Sequence, residues 1–288
     1  MTDIEVLEPQ RRDMIELQHD GVSRPKPGVK LRVLSLGAGV QSTTIALMAA
    51  RGEIEPPDCA IFADTGDEPA AVYNHLDWLM SPGVLPFPVH VVKCGQTLRA
   101  ALMAGNDEAR IPFYVGAGGL AGRQCTRNWK IRPIRRKIRE LLGKGPKGYV
   151  APGSVESWIG ISLDEAMRIK PSGCAFIHNR HILIEARMSR QACYAWLEDR
   201  QYRIPPKSRC KYCPFQGNAG WVSLMQEPSE WQETVELDGW LREPAQVARF
   251  HGEVFLHHSR VPLAQADLTL PMSGPNLFGN ECEGVCGV

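Results

Sequence analysis

Three times between Leu31 and Gly105 the chain passes from a short apolar run to a stretch with small and apolar residues at helical spacing. LRVLSLG (31–37) leads into STTIALMAARG (42–52). CAIFADTG (59–66) leads into EPAAVYNHLDWLM (68–80), with Pro69 in its first turn, and PVHVVKCG (88–95) leads into QTLRAALMAG (96–105). Continuous apolar strands alternating with helices predict an α/β fold, a parallel twisted sheet with helices on both faces. A further strand is expected at ESWIGIS (156–162) and helices at IRPIRRKIRELLGKG (131–145), 189–198, 218–226 and 229–242. The glycine-rich stretch 105–124 reads as a loop or hairpin. Residues 1–29, charged and ending in SRPKPG, read as a mobile arm, 30–205 as the α/β domain, and 206–288 as a cysteine-bearing helical and loop region closing over the site.

Composition narrows the function. With 33 basic and 32 acidic side chains the net charge is +1, so a globally basic nucleic-acid coat is excluded and any polyanion contact must come from a local patch. No apolar run approaches the ~18 residues of a membrane helix, and the first residues mix acids with bases, so a cytoplasmic protein without membrane contact is expected. Nine cysteines in that setting are expected as reduced thiols. Cys59, Cys94 and Cys193 lie in strand or helix patterns and read as core residues; Cys174 is uninformative.

Two segments point to a ligand at the carboxyl edge of the sheet. Gly37, Ala38 and Gly39 separate the first strand from a helix opening at Gln41 or Ser42, so backbone amides and the helix N-terminus can converge on a phosphate. No GKS or GKT follows, so this is not a Walker loop. Asp64, Thr65 and Gly66 end the second strand at the same edge, where Asp64 can contact a ribose or base, help hold a metal ion such as Mg²⁺, or cap the next helix. CKYC (210–213) is a tight turn that points two thiols at one centre, half of a metal site.

In order, GAGVQST, FADTGDEP, RQCTRNWKIRPI, WIGISLDEAMR and SRCKYCPF resemble the phosphoadenosine phosphosulfate (PAPS) reductase-like branch of the PP-loop adenine-nucleotide α-hydrolase superfamily, from about Leu31 to Phe215. The resemblance implies a HUP/PP-loop sheet and an adenine nucleotide at Gly37, Ala38, Gly39, Val40, Gln41 and Ser42, the positions of the family's SGGxDS. Gly37 replaces its first serine and Gln41 its aspartate. Gly160, Asp164, Glu165 and Arg168 match a GIRxDESxxR segment, with Ser162 in place of arginine.

Against the family's CCxxRKVxPL, Cys125 fits the first cysteine, Thr126 replaces the second, and Lys130 and Pro133 fit the lysine and proline. The resemblance therefore implies a [4Fe–4S] cluster on Cys125, Cys210 and Cys213. Cys282 is assigned as fourth ligand and Cys286, in a terminal CGV, as the reactive thiol, with Lys130 beside the chemistry. Zinc is the competing metal, because CxxC spacing serves both. The implied function is sulfur chemistry on a nucleotide: reduction of a sulfonucleotide with a thiol reductant protein as partner, or ATP-dependent thiolation of an RNA or DNA base. RNWKIRPIRRKIR (127–139), with seven basic residues and no acid, offers a positive stripe for such a nucleic acid. A zinc-stabilised nucleic-acid-binding or regulatory module is the reading from another class.

Overall fold

The computed structural model describes residues 28–269. Its strands are β1 (Leu31–Ser35), β2 (Cys59–Asp64), β3 (Val89–Lys93), β4 (Tyr114–Val115), β5 (Val155–Trp158), β6 (Ile177–Arg180) and β7 (Val254–Phe255). The helices are α1 (Val40–Ala50), α2 (Ala70–Met80), α3 (Leu98–Met103), α4 (Arg132–Leu141), α5 (Ile182–Glu185), α6 (Arg190–Asp199), α7 (Asn218–Met225), α8 (Pro228–Trp240) and α9 (Pro244–Phe250). Five strands form one sheet in the order β3-β2-β1-β5-β6, every pair parallel.

The strand period of two divides the sheet residues between two cores. Leu34, Ala60, Phe62 and Trp158 face one side and pack with α1, α2, α5 and α6. Val33, Cys59, Ile61 and Val155 face the other and pack with Ile134 and Ile138 of α4. The α/β expectation therefore holds, with helices on both faces. Cys59 and Cys193 are core residues as expected, and burial pushes the Cys59 thiol up to about 12.

A third core joins α3 and residues 109–129 to the CKYC turn, α7 and α8 through Leu98, Phe113, Trp129, Tyr212, Trp221 and Leu237. The glycine-rich stretch expected as a loop or hairpin does turn back on itself, Tyr114 bridging Leu120 antiparallel, and its strand β4 also pairs antiparallel with the distant β7. β6 escapes the sequence pattern because IHNR carries one apolar residue in four, and only parallel pairing with β5 makes it a strand. β3 is an edge strand with no fully buried residue, despite its apolar sequence.

β1 leads outward to β2 and β3, whereas the chain returns to β5 on the other side of β1. That reversal opens a crevice at the carboxyl ends of β1 and β5, the place where open α/β sheets bind ligands.

Candidate functional site

The turn from β1 into α1 keeps free amides at that crevice. Gly39 is the N-cap of α1 with no side-chain cap, and the first turn carries no acid. Its amides and helix dipole are thus available to an anion. Ser42 Oγ accepts from the Gly37 amide at 3.2 Å and donates to the Gly39 carbonyl at 3.3 Å, folding the loop on itself. Ala38 holds φ +57°, a left-handed conformation costing a residue with a Cβ about 1–2 kcal/mol, strain of the kind stored at binding loops. Val40 is buried at the start of the helix.

The segment after β5 closes against this helix. A Cβ added at Gly160 would lie 3.1 Å from the Ser42 amide nitrogen, a contact tight enough that the neighbouring backbone would have to give way. The same approach sets Gln41, 1% exposed, against Ser162 and Glu165. Gln41 Nε2 donates to Glu165 Oε2 at 2.6 Å and to Ser162 Oγ at 3.0 Å. Arg168 donates to the same carboxylate oxygen at 2.8 Å, and Arg190 stands 3.7 Å from the other. Gln41 and Ser162 thus touch each other, a neutral pair. Asp164 accepts from the Arg190 amide, which together with the Ser162 hydroxyl holds its carboxyl below the usual range against the opposing effect of burial.

At the end of β2, Asp64 is not a helix cap; Pro69 holds that place for α2. Its carboxylate accepts from the Gly66 amide and Tyr73 hydroxyl, both at 2.7 Å, and pairs with Lys93 at 3.0 Å. Burial, then the bond to Asp64, pushes the Tyr73 phenol up. Gly66 is at φ +79°, and a Cβ there would sit 2.6 Å from Thr97 Cγ2. This segment also receives the CKYC turn: Lys211 donates its amide to the Asp67 carbonyl at 2.9 Å, and Tyr212 its hydroxyl to Asp67 Oδ2 at 2.7 Å. Burial raises both the Asp67 carboxyl and the Tyr212 phenol.

Cys125, Cys210 and Cys213 line one cavity, together with Thr65, Thr126 and Lys130. Residues far apart along the chain meet because the turn docks on Asp67 while Cys125 heads a π-helical stretch, Thr126–Ile131, that runs into α4. Such wide turns recur at functional sites. Thr65 Oγ1 lies 3.3 Å from Cys210 Sγ, and the Cys210 thiol points at Glu68 Oε1 over 3.8 Å. Lys130 is buried and lies 3.5 Å from Glu68 Oε1. It also lines a second cavity with Ser35, Gly37, Glu68 and Ser208, directly at the glycine loop. One cation thus borders both the loop and the thiols.

Among the described residues no three His, Cys, Asp or Glu side chains are grouped as ligands of a single metal ion. Cys282 and Cys286 lie outside the described residues. Six of the seven basic side chains at 127–139 have a partner within the chain. Lys130 pairs with Glu68, Arg132 with Glu108 and Lys137 with Glu140, while Arg135, Arg136 and Arg139 donate to the Ser172, Lys93 and Gly148 carbonyls. Only Arg127 is exposed with no partner among the described residues. Sequence reasoning missed Glu68, Asp67 and Ser208, whose roles depend on long-range docking; a buried acid pair after DTG was the one available signal.

No helix among the described residues is long and apolar enough to cross a membrane. No protein-family model matches the chain, and no curated protein matches it. Among solved structures it is similar to the phosphoadenylyl-sulfate (PAPS) reductase of Candida auris in a phosphate complex, with a TM-score of 0.40 and 12% identity over 60% of this chain and 74% of that one.

Proposed function

We propose that the chain is an enzyme of PAPS reductase-like type that binds an adenine nucleotide at Gly37–Ser42 and carries out sulfur chemistry at the neighbouring thiols. The observation that carries this reading is Lys130: it lines both the cavity at the glycine loop and the cavity of Cys125, Cys210 and Cys213. A nucleotide seated on the loop amides would present its reacting end beside a buried ammonium, within the same crevice as the cysteines. Lysine there stabilises developing charge on phosphate or sulfur in a site of low dielectric.

Three thiols in a largely apolar cavity are soft donors of the kind iron–sulfur clusters take. Cys125, Cys210 and Cys213 would hold such a group, with Cys282 as the fourth ligand. When bound, it would supply electrons or labile sulfide next to Lys130. Thr65 contacts Cys210, and Tyr212 ties the CKYC turn to Asp67.

In the reductive form, Cys286 thiolate attacks the sulfur of a sulfonucleotide, the sulfur–oxygen bond breaks, and the nucleotide leaves as its phosphate. A second thiol, from a reductant protein, then releases sulfite and forms the disulfide. Gln41 favours this form over ATP cleavage, since its amide puts no carboxylate into the loop to recruit a magnesium ion.

Anaerobic purification followed by iron and acid-labile sulfide analysis is the test. Iron and sulfide that vanish in Cys210→Ser and Cys213→Ser but persist in Cys59→Ser support the assignment; a colourless zinc-loaded chain refutes it. Sulfite release from a sulfonucleotide marks the reductive form, whereas pyrophosphate release from ATP with RNA or DNA marks thiolation instead.

A further inference from the structure

On the outer side of the segment that carries Cys125 lies a wholly polar groove of about 340 Å³. Arg110, Arg127 and Arg132 line it together with two amides and two acids, Asp107 and Glu108. It shares no residue with the thiol cavity. Cys125, Thr126 and Lys130 border the thiols, whereas Gln124, Arg127 and Asn128, interleaved with them along the chain, border the groove. One short stretch of backbone therefore separates the two.

The cations of the groove are free to change partners. Arg127 is exposed and has none among the described residues. Arg132 holds both oxygens of Glu108, at 3.1 and 3.0 Å, and Arg110 shares Asp107 with Arg249, at 3.3 and 3.1 Å. Glu108 and Asp107 are both exposed, and in solvent an ion pair contributes little, so a guanidinium exchanges one carboxylate for another readily. Arg110 also keeps a buried Nε without an acceptor. Arg249 reaches on to the Leu102 carbonyl, next to the exposed Met103.

The lining selects among anions. No aromatic side chain borders the groove, so the bases of a single strand would have nothing to stack on. Asp107 and Glu108 stand in the same wall, and a run of phosphates would meet both. A small oxyanion would leave most of the volume to water. A protein segment can set carboxylates against the arginines and its own donors against Asp107 and Glu108, the alternation of sign that complementary protein surfaces use.

We propose that this groove is a docking site for an acidic segment of a partner protein, with Arg127 as the principal contact and Arg110 and Arg132 exchanging their own acids for the partner's. The inference goes beyond the reading of the sulfur chemistry and holds whether or not the thiols take a metal. A segment seated there lies against the outer side of the stretch whose inner side carries Cys125 and Thr126, which brings the partner next to the thiol cavity.

The test is fluorescence anisotropy on the full chain at low ionic strength with a labelled peptide of alternating glutamate and serine, its glutamine counterpart, and single-stranded oligothymidylate. The glutamate peptide should bind and the glutamine peptide should not. Arg127→Glu should weaken the glutamate peptide about tenfold, and the difference should shrink as salt is added. Arg127→Lys should recover part of the loss, since lysine keeps the charge without the planar fork. Lys144→Glu, an equal change of charge in the turn after α4, should leave binding as it is, and melting temperatures should agree across the set because Arg127 is exposed and unpaired. A wild-type chain that ignores the glutamate peptide overturns the inference, as does an equal loss in Lys144→Glu, which would reduce the attraction to net charge. Tighter binding of oligothymidylate with the same dependence on Arg127 would give the groove to nucleic acid, and displacement of the peptide by equimolar citrate would give it to a small anion; either result overturns the proposal.

Discussion

Gln41→Glu is an isosteric change that puts a carboxylate oxygen where Nε2 now donates to Glu165 Oε2 at 2.6 Å. Both side chains are buried, so solvent cannot screen the pair. With an effective dielectric constant near 20, two ionised carboxylates at that distance repel by about 6 kcal/mol. Taking up one proton at pH 7 costs about 4 kcal/mol for a carboxyl of ordinary pKa, so proton uptake is the cheaper route. The shared proton restores the hydrogen bond, and Arg168 at 2.8 Å holds the ionised partner in place. The native variant therefore binds a proton that the unfolded chain does not, and its stability must fall as pH rises. The deficit should be about 4 kcal/mol at pH 7 and about 1 kcal/mol at pH 5, a melting temperature about 10 °C below wild type shrinking to a few degrees. Calorimetric scans of both chains from pH 5 to 8 measure this. A deficit that does not change with pH, or no deficit at all, would refute the buried contact between Gln41 and Glu165.

Other outcomes follow from the same geometry. Gly160→Ala forces a methyl to 3.1 Å from the Ser42 amide nitrogen; it should cost about 1–3 kcal/mol in chemical denaturation and weaken AMP binding, because the loop must shift. Burial lowers His75 and His257 to about 4, so both are neutral in the folded chain, His75 against Thr43 and His257 between Ser259 and Asn218. Their contribution is fully present above pH 6.5 and lost as pH falls towards 4; urea midpoints in that window should fall less steeply in His257→Gln than in wild type.

The legible part of this fold is the part whose local period matches its burial. β2 is buried throughout and β1 from Val33 onward, both largely apolar, and α1 begins within two residues of the position its glycine turn indicates. β6 and the β4–β7 pair were illegible because their identity comes from partners: IHNR becomes a strand by lying beside Val155–Trp158, and Tyr114–Val115 by meeting a segment near the far end of the described chain. The charge pattern of 127–139 left the partners of its donors open for a related reason. An arginine row is the same string whether water or backbone carbonyls take its donors, and here Arg135, Arg136 and Arg139 reach carbonyls of three separate segments.

The site divides along the same line, and the division bears on how its two halves work together. Motif order alone carried Gly37–Ser42 and the three cysteines to one edge of the sheet, because each lies in a segment with its own local signal. What joins them has none. Asp67 takes the Lys211 amide on its carbonyl and the Tyr212 hydroxyl on its carboxylate, Glu68 faces both Lys130 and Cys210, and Ser208 sits over Gly39. Each of these contacts except that of Glu68 with Lys130 crosses from the segment after β2, or from the loop itself, to the arm bearing CKYC. A displacement of the arm would therefore loosen the glycine loop and the thiol cavity at once. For that reason, on the proposed function, substitutions at Asp67, which lines neither cavity, should disturb nucleotide affinity and metal loading together, whereas substitutions at Cys59 or Cys193, buried on the other cores, should disturb neither.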